Sequence, residues 1–150
     1  MEQKKIAAGV FVLCPNTERV LLLKRGKGVK YAGYWGFPGG SFDEEDGGPK
    51  VTALREFEEE TGYKGEMRIS KEPLYIENSN HLDFYSYLCL IPNEFIPNLK
   101  GERVVGNEHD EYAWFELDVK SNIMMPTIIK ILNEKKCILD KAIKKFKNER

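Results

Sequence analysis

No stretch of this 150-residue chain reaches the roughly 18 consecutive apolar residues of a membrane span. Lys4 and Lys5 open onto an apolar segment, but it is short and lacks a convincing cleavage site, so no secretory signal is expected. Cysteine is sparse. Cys14, Cys89 and Cys137 show no Cys-x-x-Cys spacing and leave one thiol over in any disulfide scheme, which points to reduced thiols and a soluble, cytoplasmic chain. Charge of one sign is lacking too. The formal net charge of −1 excludes a global attraction to nucleic acid or acidic membranes. There is no internal repeat, low-complexity tract or interdomain linker, and residues 1–150 are read as a single domain. What is present is an ordinary globular balance, 41% hydrophobic and 31% charged. A chain of this length buries roughly 68–70% of its unfolded surface.

Period and punctuation organise the chain. Ile6 to Cys14 reads as a buried strand, turned by Pro15-Asn16-Thr17 into a second strand from Arg19 to Lys24. Gly26 to Tyr34 is a loop, and Trp35 to Gly40 leads toward a helix expected to start near Pro49 and stop at Gly62. Two long strands are expected at about 66–77 and 81–90, joined through Asn78-Ser79-Asn80. Pro92 to Gly106 is a loop and Tyr112 to Glu116 a short strand. From Pro126, apolar residues recur near helical spacing through Phe146, giving one amphipathic C-terminal helix. Central strands with helices on their faces indicate an α/β or α+β sandwich.

The helix after Pro49 holds the most informative residues, Arg55-Glu56-Phe57-Glu58-Glu59-Glu60-Thr61-Gly62. At about 100° per residue, Glu56, Glu59 and Glu60 fall in one sector, with Val51, Leu54 and Phe57 expected on the opposite, apolar side. Glu56 and Glu60 repel at i,i+4, at a cost of roughly 0.2–0.5 kcal/mol in an isolated helix. The later glutamates also lie toward the negative end of the helix dipole. A divalent cation offsets both effects, and Mg²⁺ takes such oxygen ligands together with phosphates and waters. A glutamate run by itself is more often a solvated face.

The order of the surrounding residues decides between the two. Trp35-Gly36-Phe37-Pro38-Gly39-Gly40, an acidic loop, then Arg55 through Gly62 and Tyr63 resembles the Nudix box, the loop–helix–loop signature of the Nudix hydrolases. Its second half fits at every position. Its first half departs: the Glu position counted back from Arg55 holds Gly47. Glu45 and Asp46 both remain as displaced counterparts in a loop longer by a residue or two, with a structural rather than catalytic role. The resemblance implies an α/β/α sandwich with a central mixed β-sheet. It implies Mg²⁺, with Mn²⁺ as a substitute, held by the Gly39 carbonyl, Glu56, Glu59 and Glu60. Arg55, Glu56 and Glu59 form the implied catalytic set, Arg55 holding the glutamates by charge-assisted hydrogen bonds. The simpler reading of Arg55 is a surface pair with Glu58 or Glu59. Glu108 and Glu111, in a segment before Tyr112, are candidates for an additional catalytic acid or base, Glu111 being taken into the set. His109, a lone loop histidine, is read as solvated.

Substrate contacts are less marked. Tyr31, Tyr34 and Trp35 are candidates for stacking on a nucleobase, with core packing the competing role for Trp35. Arg25, Lys27 and Lys30 are placed to meet phosphates or to stay solvated. Phe84, Tyr85 and Tyr87 alternate along a strand, while Cys14 and Cys89 read as core. The lysines at 141, 144, 145 and 147 read as a solvated helix face rather than an RNA site. No additional motif of the coenzyme A, NADH, ADP-ribose or diadenosine polyphosphate specialists follows Gly62. The activity the resemblance implies is hydrolysis of a diphosphate linkage in a nucleoside diphosphate derivative, and the missing motifs point to a small nucleotide such as an intact or oxidised nucleoside triphosphate. The competing readings are a non-catalytic nucleotide-sensing or partner-binding module of the same fold, or activity on a dinucleoside polyphosphate, ADP-ribose or an RNA 5′ end. The expected partner is a small nucleotide, without membrane or nucleic acid, and a homodimer is the candidate assembly.

Overall fold

The computed structural model describes residues 4–99, 109–119 and 121–149. Its centre is β1 (Lys5–Cys14), a run buried from Ala7 onward because both faces of the strand are covered. Along one edge β1 pairs in parallel with β7 (Leu82–Leu90), from Lys5–Leu82 to Leu13–Leu90. The other edge is shared. Its first half pairs antiparallel with β4 (Gly39–Ser41) and its end pairs antiparallel with β2 (Arg19–Arg25). β2 also carries β3 (Trp35–Gly36) and β8 (His109–Glu116), and β7 carries β5 (Arg68–Ile69) and β6 (Tyr75–Asn78). One parallel pair among antiparallel neighbours makes the sheet mixed, as expected.

Strand alternation divides the core in two. Val10 and Val12 of β1 and Leu21 and Leu23 of β2 face α1 (Pro49–Thr61), which contributes Ala53 and Phe57. Phe11 and Leu13, with Val20 and Leu22, face α2 (Pro126–Glu134) and α3 (Lys136–Asn148). Helices thus lie on both faces, an α/β/α sandwich. Cys14 and Cys89 are buried on the α1 side. No helix among the described residues is long and apolar enough to cross a membrane.

Three expectations are corrected. The long strand over 66–77 is instead two short ones. Pro73 has no N–H to give the ladder, and backbone bonds to β7 resume only at Leu74, whose N–H donates to Ser86. The single C-terminal helix is two, divided at Lys135. No proline or glycine marks the break, yet Ile128, Ile131 and Leu132 before it and Leu139 and Ile143 after it enter the same core. Finally, Val51 is exposed, while Glu56 and Glu60 are buried. Of the acidic stripe, Glu56 and Glu60 are turned inward against β4 while Glu59 stays half-exposed.

Candidate active site

The site is built where α1 crosses β4. The helix begins at Pro49 and ends at Gly62, whose φ of +73° takes the left-handed conformation that stops a helix and whose N–H reaches the Glu58 carbonyl at 2.7 Å. Across from its acidic stripe, two consecutive glycines bring the β4 backbone close. The Gly39 N–H donates to Glu60 Oε2 at 3.2 Å. A Cβ on Gly40 would lie 2.5 Å and 2.8 Å from the carboxylate oxygens of Glu56. Glycine at 40 is therefore what allows Glu56 to lie flat on the strand.

Arg55 ties the carboxylates together. Its Nη1 donates to Glu56 Oε1 at 3.2 Å and to both oxygens of Glu59 at 3.3 and 3.2 Å. Its other edge is held in a two-pronged grip by Asp46, Nε to Oδ1 at 2.9 Å and Nη2 to Oδ2 at 3.0 Å. Nη2 also reaches the Ser41 carbonyl at 3.2 Å, which links the guanidinium to β4. Asp46 is fixed in turn by the Thr52 hydroxyl at 2.7 Å and the Asp43 N–H at 3.0 Å. The Arg55 and Thr52 hydrogen bonds hold the Asp46 carboxyl well below the usual carboxylate range. The same pairing raises Arg55 above its already high ordinary value, so it stays charged. Arg55 thus bonds Glu59 at i,i+4 and, through the same nitrogen, Glu56 as well.

Asp46, rather than Glu45, is thus the displaced acidic residue of the loop. The count of loop residues left the two open. Asp46 closes a 3₁₀ turn, Glu44–Asp46, capped by Asp43, and that turn aims its carboxylate back at α1. Thr52 was not foreseen in this role. His109 was read as a solvated loop residue; it is buried in β8, with Nδ1 4.0 Å from Glu60 Oε2. Glu111 is exposed and lies 3.6 Å from Lys24, its partner across β2. By alternation Glu111 shares the face of Leu22 and Phe115, away from α1. Glu108 lies outside the described residues.

The remaining candidates occupy the β2–β3 turn. Arg25 braces the loop, its Nε donating to the Lys30 carbonyl at 2.6 Å and its N–H to the Tyr34 carbonyl at 2.8 Å. Tyr31 and Tyr34 are exposed and stand edge to face, with centroids 6.0 Å apart. Lys30 lies 5.3 Å from the Tyr31 ring centroid. Trp35 is half-buried, edge to face with Phe115 at 5.2 Å, and packs against the α2–α3 core.

The donors facing one another across α1 and β4 are hard oxygens, the class that Mg²⁺ and Mn²⁺ take. Among the described residues no three acidic or histidine side chains converge on one point. Glu56, Glu59 and Glu60 are thus not drawn onto one point in this structure. The glycine cradle under Glu56 and the arginine-held carboxylates fit such an ion.

The sandwich and its carboxylate helix define a Nudix-type protein. The chain belongs to the NUDIX domain family, whose model matches residues 3–130. Among curated proteins it resembles the CMP-5'-(N-acetyl-N-hydroxy-3-aminopropyl)phosphonate hydrolase of Streptomyces rubellomurinus, 40% identical over 57 residues, which are 38% of this chain and 27% of that protein. The chain thus matches about a quarter of that relative's length. A solved MutT/nudix family protein from Enterococcus faecalis is 26% identical with a TM-score of 0.60, over 77% of this chain and 44% of that one. The Nudix hydrolase RenU from M. smegmatis, 16% identical, shares the fold with a TM-score of 0.71 over 94% of this chain and 89% of its own.

Proposed function

We propose that this chain is a Mg²⁺-dependent Nudix pyrophosphohydrolase, served also by Mn²⁺, that cleaves a diphosphate linkage in a small nucleotide such as a nucleoside triphosphate. The observation that carries this reading is Arg55, gripped by Asp46 and bonded to both Glu56 and Glu59. A merely solvated acidic face has no need of such a brace. Glu56, Glu59, Glu60 and the Gly39 carbonyl are the donors that would hold the cation. When bound, it supplies charge neutralisation on the diphosphate oxygens and acidifies water.

The chain's own contribution is positioning and electrostatics, the main demands of phosphoryl transfer. Arg55 keeps Glu56 and Glu59 at fixed orientation, and the Gly39 N–H does the same for Glu60. Glu59 has the most exposed side chain of the three, 39% against 8% for Glu56 and 2% for Glu60. It is therefore the carboxylate of the three that solvent reaches most readily. Tyr31 and Tyr34 offer rings to a base, with Lys30 alongside for a phosphate. Arg25 serves by shaping that turn, and Trp35 by anchoring it to the core. The curated relative's name describes a CMP-linked phosphonate, which supports a nucleotide joined to a second phosphorus-bearing group as the substrate class.

The test is a nucleotide screen with Mg²⁺, following phosphate and pyrophosphate release, in wild type, Glu59→Gln and Glu60→Gln. The amide keeps the shape and removes the charge, so turnover should fall by orders of magnitude with thermal stability retained. Activity within a few-fold of wild type in both variants would count against the assignment. Nucleotide binding without turnover in the wild type would favour the sensing module.

A further inference from the structure

The register of β8 on β2 shifts between Lys24 and Arg25. Glu111 lies opposite Lys24, and His109 rather than Asp110 lies opposite Arg25. One extra residue in a strand reverses which face its neighbours take. Without the bulge, His109 would share the face of Glu111. With it, His109 shares the α1 face, where its side chain is 7% exposed and Nδ1 comes to 4.0 Å from Glu60 Oε2. That oxygen is also the one that accepts the Gly39 N–H at 3.2 Å.

From this geometry we infer that His109 is a positioning residue for Glu60, fixing the carboxylate's rotation by gripping Oε2 from the β8 side while Gly39 grips it from β4. The inference rests on the reading of Glu60 as a cation ligand. Carboxylates that ligate metals are themselves hydrogen-bonded, and those outer partners set ligand orientation and metal affinity. A contact of 4.0 Å needs only a small closing movement to become a hydrogen bond, and such contacts commonly tighten when a site is loaded. His109 touches neither the reacting phosphate nor the water in this scheme; it acts through Glu60. A bulge that turns an imidazole away from solvent and onto a buried carboxylate is poorly explained by packing alone, since Glu60 would be costly to bury without fixed polar neighbours.

The experiment titrates the full chain with MnCl₂ alone, reading free Mn²⁺ by electron paramagnetic resonance, and records thermal midpoints beside it. His109→Ala should weaken Mn²⁺ binding roughly 10- to 100-fold, the usual range for loss of an outer partner. His109→Asn keeps an N–H donor close to the Nδ1 position and should recover most of the affinity. In a Glu60→Gln background, His109→Ala should have little further effect, because the two residues act on one ligand. Unchanged Mn²⁺ affinity in a folded His109→Ala protein would overturn the inference if Glu60→Gln does weaken binding. So would fully additive losses in the double variant, or failure of Asn to restore affinity lost with Ala. If Glu60→Gln itself leaves Mn²⁺ affinity intact, the ligand reading of Glu60 fails first, and this inference with it.

Discussion

Asp46 receives hydrogen bonds from Nε and Nη2 of Arg55, from the Thr52 hydroxyl and from the Asp43 N–H. Each favours the carboxylate over the acid, which is why its folded-state pKa is depressed. A depressed pKa means that the unfolded chain binds the proton more readily. Stability from this group is then fully present above the unfolded value, about 4, and is lost as pH falls toward the lower folded value. Wild type should therefore lose thermal stability on acidification below about pH 4, and Asp46→Asn should show a shallower acid limb together with a lower midpoint at neutral pH. Melting curves at several pH values between about 2 and 7 check this. Identical acid limbs in both proteins would show that Asp46 is not the linked group. The sequence made an acidic brace for Arg55 legible but not its address. Which of two adjacent carboxylates turns inward depends on where the 3₁₀ turn closes, and a residue count does not contain that.

Gly39 and Gly40 are adjacent in β4 and do different work, because successive strand residues point to opposite faces. A Cβ on Gly39 would meet the Ala8 carbonyl oxygen at 2.8 Å, Gly9 Cα at 2.9 Å and the Phe84 ring at 3.1 Å. Two of these are backbone of the central strand and cannot swing aside. The atoms nearest a Cβ on Gly40 belong instead to the end of the Glu56 side chain, which is not backbone. Gly39→Ala should thus destabilise the fold by about 1–3 kcal/mol, the cost of overpacking. Gly40→Ala should melt close to wild type yet bind Mn²⁺ more weakly, because Glu56 is pushed from its place. Calorimetric melting and Mn²⁺ titration of the two variants separate the effects, and a stable Gly39→Ala protein with a collapsed Gly40→Ala protein would reverse the assignment. At the level of whole elements, α1 was readable end to end, since Pro49 and Gly62 punctuate it and its stripe repeats at helical spacing. The interruption of 66–77 does carry a local signal, Pro73. The break at Lys135 carries no local signal, and neither does the bulge that buries His109. Both are set by packing against the sheet, which sequence period does not report.

Taken as a molecule, the chain places its charge at opposite ends of its chemistry. The carboxylates of α1 are gathered over β4, inside the sandwich edge, while Lys144, Lys145 and Lys147 are exposed on α3, which packs on the other face of the sheet. Alternation along β1 made the two-faced core legible, since both the odd and the even positions are apolar. Which face each helix would take was not, because amphipathic helices fit either side of such a strand. This separation bears on what the protein acts upon. An RNA chain tracked by the lysines would have to reach around the sheet to meet Glu56 and Glu59, whereas a small nucleotide needs only the α1 side. Phosphate contacts by lysine make binding fall steeply with salt, through release of counterions. In α3, Lys147 is already engaged with Glu18 at 2.9 Å, and the net charge of the whole chain is −1. Neutralising Lys144, Lys145 and Lys147 together should leave hydrolysis of small nucleotides within about twofold of wild type, since surface changes away from a site are usually near neutral. RNA binding near physiological salt should be weak in both proteins. Filter binding of a 5′-triphosphorylated RNA across a salt series, beside nucleotide turnover, makes the comparison. Submicromolar, strongly salt-dependent RNA binding that vanishes in the triple variant would move the substrate from the small nucleotide to the RNA 5′ end.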